Sequence, residues 1–190
     1  MGQSDGRSEK QKMLEGDWYR AVGPELGADA ARADRLLRAY NATGADEAGR
    51  RDAILTELCG AVGAGVVVRP PFYCDYGYNI RIGRGTFINF GAVFLDVASI
   101  VIGEDCQIGP SVQIYAADHP RDPELRRAGY ERAVPVRIGN NVWLGGGAII
   151  LPGIQIGDDA IIGAGSVVTR EVPPGVAAAG NPARILRRRV

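Results

Sequence analysis

Among side chains suited to moving a proton near neutral pH, the 190-residue chain holds a single histidine, His119, in the stretch IYAADHP at residues 114–120. A neutral imidazole takes the proton of a hydroxyl or amine as that group attacks an electrophile. Direct transfer of an activated acyl group needs little else: one base, a backbone donor for the oxyanion, and good positioning. An isolated histidine is more often structural or solvated, and what raises His119 above that level is its place in the one long loop of the chain. Other chemistries are excluded by count and spacing. A zinc site needs three or four His, Cys or carboxylate ligands, and one His per chain with scattered cysteines does not make a His-rich set within a subunit; a symmetric trimer would supply only one His from each chain. A serine hydrolase lacks support, because the GxSxG string GQSDG at residues 2–6 sits in the polar N-terminal tail with no strand pattern before it to form an elbow. Cys59, Cys74 and Cys106 are odd in number with no CxxC spacing, so they read as reduced and mostly buried.

The elements that must position His119 are announced by a repeat. Ile138, Leu144, Ile150, Ile156, Ile162 and Val168 recur every six residues, and the same step joins Ile82, Ile88 and Phe94, then Ile102, Ile108 and Ile114. Gly follows the apolar residue at most of these steps, and a small or branched residue stands four positions after it, as at Thr86, Ala92, Cys106, Val112, Val142, Ala148, Ala160 and Ser166. Period six is neither helix nor plain strand alternation. It describes a chain that runs a short strand, turns and repeats, with one large aliphatic per step stacked inward: an all-β solenoid. The glycines and the Asn140–Asn141 pair then take turn positions where positive φ is cheap. The step lengthens to eight in LDVASIVIG, and a non-periodic segment is inserted between coils at residues 115–137. Loops thrown out of a regular scaffold tend to carry function.

Four regions follow from these patterns: a polar tail over 1–12, a helical segment over 13–63, the repeat over 64–172, and a C-terminal extension over 173–190. In the second, Ala30, Ala33, Leu36, Leu37 and Tyr40 mark one helical face, and Ile54, Leu55 and Leu58 mark another. Two such short helices must pack on the solenoid to be stable. The 22 basic and 22 acidic residues cancel, which removes the electrostatic footprint of a nucleic-acid binder and of a polybasic membrane anchor. No secretory signal or membrane-length apolar run is present, and a cytoplasmic location is expected.

The stretches MLEGDWYR, PPFYCDYGYNIRIG, FINFGAVFLDV, IYAADHP, VRIGNNVWLGGGAIILPGIQIG and IGAGSVVTREVPPGVAAAGNPAR cover nearly everything from Met13 to Arg184. In these the chain resembles the hexapeptide-repeat sugar O-acetyltransferases of the maltose, galactoside and nodulation acetyltransferase group, with CDYGYNI and LDV nearest the maltose branch. The resemblance implies a left-handed parallel β-helix, a homotrimer with active sites between subunits, acetyl-CoA lying along the solenoid, and no metal. It implies His119 as general base for direct attack by a sugar hydroxyl, Asn89 as a residue that positions acceptor and donor, and the Gly146 N–H as oxyanion donor. Gly146, Ala164, Thr169, Arg170, Arg184 and Arg187 fall on CoA-contact positions of the family. Arginine suits phosphate because its planar fork binds oxyanions bidentately. Trp143 is open between flanking the cofactor and a structural place beneath the insertion.

On the acceptor side, Asp75 and Phe87 match sugar-contact positions, Asp96 lies beside another, and Arg20, next to Tyr19, reaches toward the acceptor from the N-terminal segment. Ala21 replaces an acidic ligand of the galactoside branch and Glu131 replaces an apolar residue there, which argues against a galactoside. The implied activity is acetyl transfer to a maltose- or glucose-like saccharide. Acetylation of a non-sugar acceptor such as an antibiotic or amine, and a catalytically silent scaffold, are the alternatives; a β-helical carbonic anhydrase is excluded by the histidine count.

Overall fold

The computed structural model describes residues 6–186 and is a parallel β-solenoid with three flat faces. The first face stacks Ala61–Val62, Ile80–Ile82, Ile100–Ile102, Val136–Ile138 and Gln155–Ile156. The second stacks Val67–Val68, Phe87–Ile88, Gln107–Ile108, Trp143–Leu144, Ile161–Ile162 and Ala177–Gly180, and Ala183–Ile185 folds back antiparallel on the last of these. The third stacks Phe72–Cys74, Ala92–Leu95, Gln113–Tyr115, Ile149–Ile150 and Val167–Val168. Each period-six aliphatic pairs in register with its counterpart one coil away, as Leu144 with Ile108 and Ile162. These residues fill the interior, with Ile88, Phe94, Ile114, Leu144, Ile150 and Ile162 all at 0 % exposure. The small residues four positions on, including Thr86 and Ser166, are buried beside them.

Two kinds of turn position separate where the sequence suggested one. The third residue after the aliphatic takes positive φ: Asp105, Ser111, Asn141 and Asp159 lie at 52–59°, and Gly147 at 69°. The glycine directly after the aliphatic is there for another reason. A Cβ on Gly109 would sit 2.5 Å from the Gly146 nitrogen of the next coil, so the stacking distance forbids a side chain. Asn140 likewise does not share the positive φ of Asn141. Its Oδ1 accepts the Glu104 N–H at 2.9 Å, and its own N–H donates to Asp158 Oδ1 at 2.7 Å, so it ties three coils together at the corner.

Every extra residue leaves at one corner, between the third and first faces. Ile138 pairs with Ile156, eighteen positions on, but Ile82 pairs with Ile102, twenty on, and Ile102 with Ile138, thirty-six on. Loops 75–79 and 96–99 absorb the smaller excess, and an excursion over 116–135 absorbs the larger. Tyr115 and Val136–Arg137 already belong to solenoid strands. The excursion contains strand Ala117–Asp118, a helical turn at Pro123–Arg127 capped by the Asp122 carboxylate, and strand Tyr130–Ala133. Trp18–Arg20 pairs antiparallel with Tyr130–Ala133, which completes a small three-stranded sheet beside the solenoid.

The helical segment begins earlier than the polar composition of 1–12 suggests. Helix α1 spans Glu9–Glu15 because Ser8 and Gln11 form a reciprocal capping box, each side chain bonded to the other's backbone N–H. Helices α2 (Pro24–Asn41) and α3 (Ala48–Leu58) cover the first coil. Leu26, Ala33, Leu37 and Tyr40 are the buried stripe of α2; Ala30 is exposed, a turn away from the face that packs. Tyr40 donates to the Val68 carbonyl at 2.5 Å, and the Asn41 carboxamide pairs with both the N–H and C=O of Phe72 at 2.8 and 2.9 Å, so side chains occupy the ladder's open edge. Replacing one ladder aliphatic should therefore be felt throughout the stack: Ile150→Ala is expected to cost about 2–5 kcal/mol in denaturant unfolding, whereas Asn141→Gly, which relieves a positive φ and gives up one exposed hydrogen bond to Asp159 Oδ1 at 2.8 Å, is expected to change stability by less than about 1 kcal/mol.

Candidate active site

A groove of about 510 Å³ runs along the corner between the second and third faces. Its floor is Gly109, Gly145, Gly146, Gly163 and Ala164, its walls include Phe87, Trp143 and Ile161, and Asn89 stands at one end. The floor follows from the register. Positions directly after the aliphatics of the second face read Arg69, Asn89, Gly109, Gly145 and Gly163 along the stack. From Asn89 onward each donates its N–H to the next coil's carbonyl at 2.7–2.9 Å. One residue further, the stack reads Pro70, Phe90, Pro110, Gly146 and Ala164. The prolines carry no N–H, and the Phe90 N–H is taken by the Asn89 Oδ1 at 2.9 Å. The N–H groups of Gly146 and Ala164 have no hydrogen-bond partner among the described residues. Two open backbone donors on an apolar floor suit a polar chain laid along it, and suit charge developing on an oxygen.

Asn89, Phe87, Gly146 and Ala164, named from the sequence, are thus brought to one groove, and Trp143 lies on its rim at 55 % exposure. Arg170 and Arg184 meet at a smaller pocket of about 210 Å³ at the C-terminal end of the solenoid, with Thr169 exposed beside Arg170. Arg187 lies outside the described residues. His119 does not line the groove. It sits exposed on the excursion at a different corner of the solenoid, where its carbonyl accepts from the Arg121 guanidinium at 2.5 Å.

The acceptor-side candidates gather near the excursion, in different settings. Asp96 is wholly buried and its carboxylate is committed to the backbone: Oδ1 accepts the N–H groups of Asp75 and Tyr76 at 3.0 and 2.9 Å, and Oδ2 that of Asn79 at 3.3 Å. It shapes loop 75–79 rather than facing solvent. Burial pushes its pKa up to about 7 against the pull of those N–H donors, with the Asp75 charge adding to the rise. Asp75 is half-buried and pushed up to about 6 by burial and by Glu131. Tyr19, wholly buried, donates to Glu131 Oε2 at 3.2 Å. Arg20 is exposed: its N–H donates to Glu9 at 2.5 Å and its guanidinium lies over the Tyr130 ring, 5.8 Å from the centroid. Two neighbours of the groove escaped the sequence reading, Gln107 on its wall and Arg69 one coil beyond Asn89. Reading the hexapeptide register back to Val68 would have found Arg69.

Among the described residues no group of three or more His, Cys, Asp or Glu side chains could hold a metal ion, and no helix is long and apolar enough to cross a membrane. A parallel solenoid of stacked hexapeptides with a glycine-floored corner groove defines the class of hexapeptide-repeat transferases. Comparison with known proteins narrows it. The family described as "Maltose acetyltransferase hexapeptide capping motif" matches residues 12–63, and "Bacterial transferase hexapeptide (six repeats)" matches residues 135–170. Nodulation protein L of Rhizobium meliloti is 56 % identical over 94 % of this chain and 98 % of its own. The crystal structure of a maltose O-acetyltransferase from Clostridium difficile superposes with a TM-score of 0.94 at 47 % identity, over 97 % of this chain and 98 % of that one. A galactoside acetyltransferase solved in complex with coenzyme A superposes at 0.92 with 36 % identity, over 96 % and 91 %. The chain belongs to the hexapeptide-repeat acetyltransferase family that includes these proteins, and it is an acyltransferase.

The two acidic side chains with raised pKa give a stability signature. A carboxyl whose folded pKa lies above its unfolded value holds its proton more tightly when folded, so stability falls as pH rises from about 4 through about 7. Asp96→Asn is expected to flatten the upper part of that slope, whose limit for one group is about 1.4 kcal/mol per pH unit, in urea titrations between pH 4 and 8.

Proposed function

We propose that the protein is an acetyl-CoA-dependent O-acetyltransferase whose acceptor is a hydroxyl of a small, maltose- or glucose-like saccharide. The observation that carries this reading is the groove: an apolar, glycine-floored channel with two backbone N–H groups that are unpartnered among the described residues, and with Asn89 at one end. Its support is the match to family members solved with coenzyme A or acetyl-CoA. In this reading the pantetheine chain lies on the glycine floor and the phosphates go to Arg170, Arg184 and Arg187, with Thr169 beside them. The Gly146 N–H receives the negative charge that builds on the thioester oxygen.

The groove holds no base of its own, and His119 is carried away from it on the excursion. A neighbouring copy closes that gap: the outward residues of the second and third faces include Val67, Trp143, Ile161 and Tyr73, all more than 40 % exposed, whereas the first face presents Arg81, Arg137 and Gln155. We infer a homotrimer in which His119 of one subunit meets Asn89 and Gly146 of the next. The acceptor hydroxyl attacks the thioester carbonyl carbon; its proton passes to His119, the new C–O bond forms, and the C–S bond breaks. The proton then returns from His119 to the departing CoA thiolate. No acyl-enzyme forms. Asp75, in the corner shaped by Asp96, accepts acceptor hydroxyls; Phe87 packs against the sugar ring; Arg20, stacked on Tyr130, borders the acceptor space.

Thiol release from acetyl-CoA against maltose, glucose, galactosides, chito-oligosaccharides and a few amines tests the class and the acceptor together. Turnover with a glucoside is expected, and His119→Ala is expected to lower kcat by about 10²- to 10⁴-fold with CoA affinity unchanged. Unchanged kcat would overturn the role of His119. Turnover with amines alone would overturn the sugar acceptor, and absence of CoA binding would overturn the enzyme reading.

A further inference from the structure

One coil beyond the Asn89 end of the groove, away from the arginine pocket, stands a guanidinium with no ionic partner among the described residues. Arg69 occupies the register position of Asn89 one coil earlier, because Val68 pairs with Ile88. Its backbone N–H donates to the Ile88 carbonyl at 2.8 Å, which fixes its main chain in the ladder. Its guanidinium rests on the Phe90 ring, 5.2 Å from the centroid, and its Nη1 lies 3.5 Å from the Asn89 Oδ1. The same oxygen accepts the Phe90 N–H at 2.9 Å. Among the described residues Arg69 forms no salt bridge, so its charge is left to act on what it touches.

A carboxamide has two ends of nearly equal shape and opposite hydrogen-bonding character. Left to itself, Asn89 could present either its oxygen or its NH2 to the groove. Two donors converge on Oδ1, one of them cationic, and none of the described residues accepts from Nδ2. We propose that Arg69 is a positioning residue: with the Phe90 N–H it locks the Asn89 carboxamide so that Nδ2 faces the groove as a donor, and its charge polarises the amide to strengthen that donor. Phe90 serves as the platform, since a flat guanidinium stacks on a ring while directing its edge N–H groups sideways. This inference rests on the reading that Asn89 takes part in acyl transfer.

The test is a double-mutant cycle on steady-state kinetics, with Arg69→Met and Asn89→Ala made singly and together and with melting temperature recorded for each. Arg69→Met is expected to lower kcat by about 3- to 10-fold, with KM for acetyl-CoA and for the acceptor within about twofold of the parent. In the Asn89→Ala background the same change is expected to make almost no further difference, because the group it orients is gone. Arg69→Gln, too short to span to Oδ1 yet polar, gives the same pattern if the Met variant does not fold. An equal loss in both backgrounds, or a loss confined to the acceptor KM, would overturn the proposal, since Arg69 would then act on the substrate directly. Full kcat in Asn89→Ala would instead sink the role of Asn89 itself. A slow Asn89→Ala enzyme beside an unaffected Arg69→Met enzyme would sink the role of Arg69 alone.

Discussion

Everything in this molecule depends on one requirement: the backbone donors of each coil must find their acceptors in the coil stacked on it, at a spacing of roughly 4.8 Å. The second-face chain of bonds from Asn89 through Gly109, Gly145 and Gly163 to the Ala178 carbonyl is that requirement made visible. A column so tightly spaced excludes side chains wherever a turn brings two backbones together, and at Gly109 the exclusion is steric rather than conformational. It also leaves no room for an extra residue on a face. Additions must leave at a corner, and here all of them leave at the same one, between the third and first faces. A bare column of glycines at one corner and an accumulation of loops at another are consequences of the same spacing.

The ends of the stack face the opposite problem, a row of donors and acceptors with no further coil to meet them. The N-terminal end solves it with side chains from a helix. Asn41 supplies one acceptor and one donor to Phe72, in the way a neighbouring strand would, and Tyr40 satisfies Val68. At the C-terminal end the chain folds back on itself through Ala183–Ile185. The N-terminal segment also reaches sideways, adding Trp18–Arg20 to the excursion sheet and burying Tyr19 against Glu131. The segment that caps the solenoid therefore also braces the loop that carries His119.

The solenoid was legible in the sequence because its signal is redundant: an aliphatic every six residues, each inward and each buried. What stayed illegible depended on single local interactions. Helix α1 lies partly in a stretch whose polarity hides it, and only the Ser8–Gln11 reciprocity marks its start. Ala30 looked like part of a buried stripe because period alone does not say how far round α2 the contact extends. Asp96 looked like a ligand for hydroxyls; its oxygens turn inward to three backbone N–H groups, which no spacing rule exposes. The groove residues Asn89, Phe87, Gly146 and Ala164 were reached through the family resemblance rather than through the repeat, while Arg69 was passed over because it stands just before the stretch PPFYCDYGYNIRIG that carries that resemblance.

The hydrogen-bond accounting at the groove corner explains how a site can be built almost without side chains. Position by position, the stack removes a donor at Pro70 and Pro110, satisfies one at Phe90 with the Asn89 oxygen, and leaves two open at Gly146 and Ala164. An unpaired buried N–H is costly when nothing meets it, and these two lie where solvent or a ligand can. Any residue larger than glycine at 146 would press on the Pro110 ring, 3.2 Å from the position of a Cβ. The same proline that deletes a competing donor thus also crowds out a side chain at 146. Asn89 stands apart as the one polar side chain on the corner column between Arg69 and the glycines, and its oxygen is already committed. What it has left to offer is a pair of amide hydrogens, so Asn89 meets a ligand as a donor and the base that takes the ligand's proton must come from elsewhere. Within one chain nothing on the groove floor can fill that role.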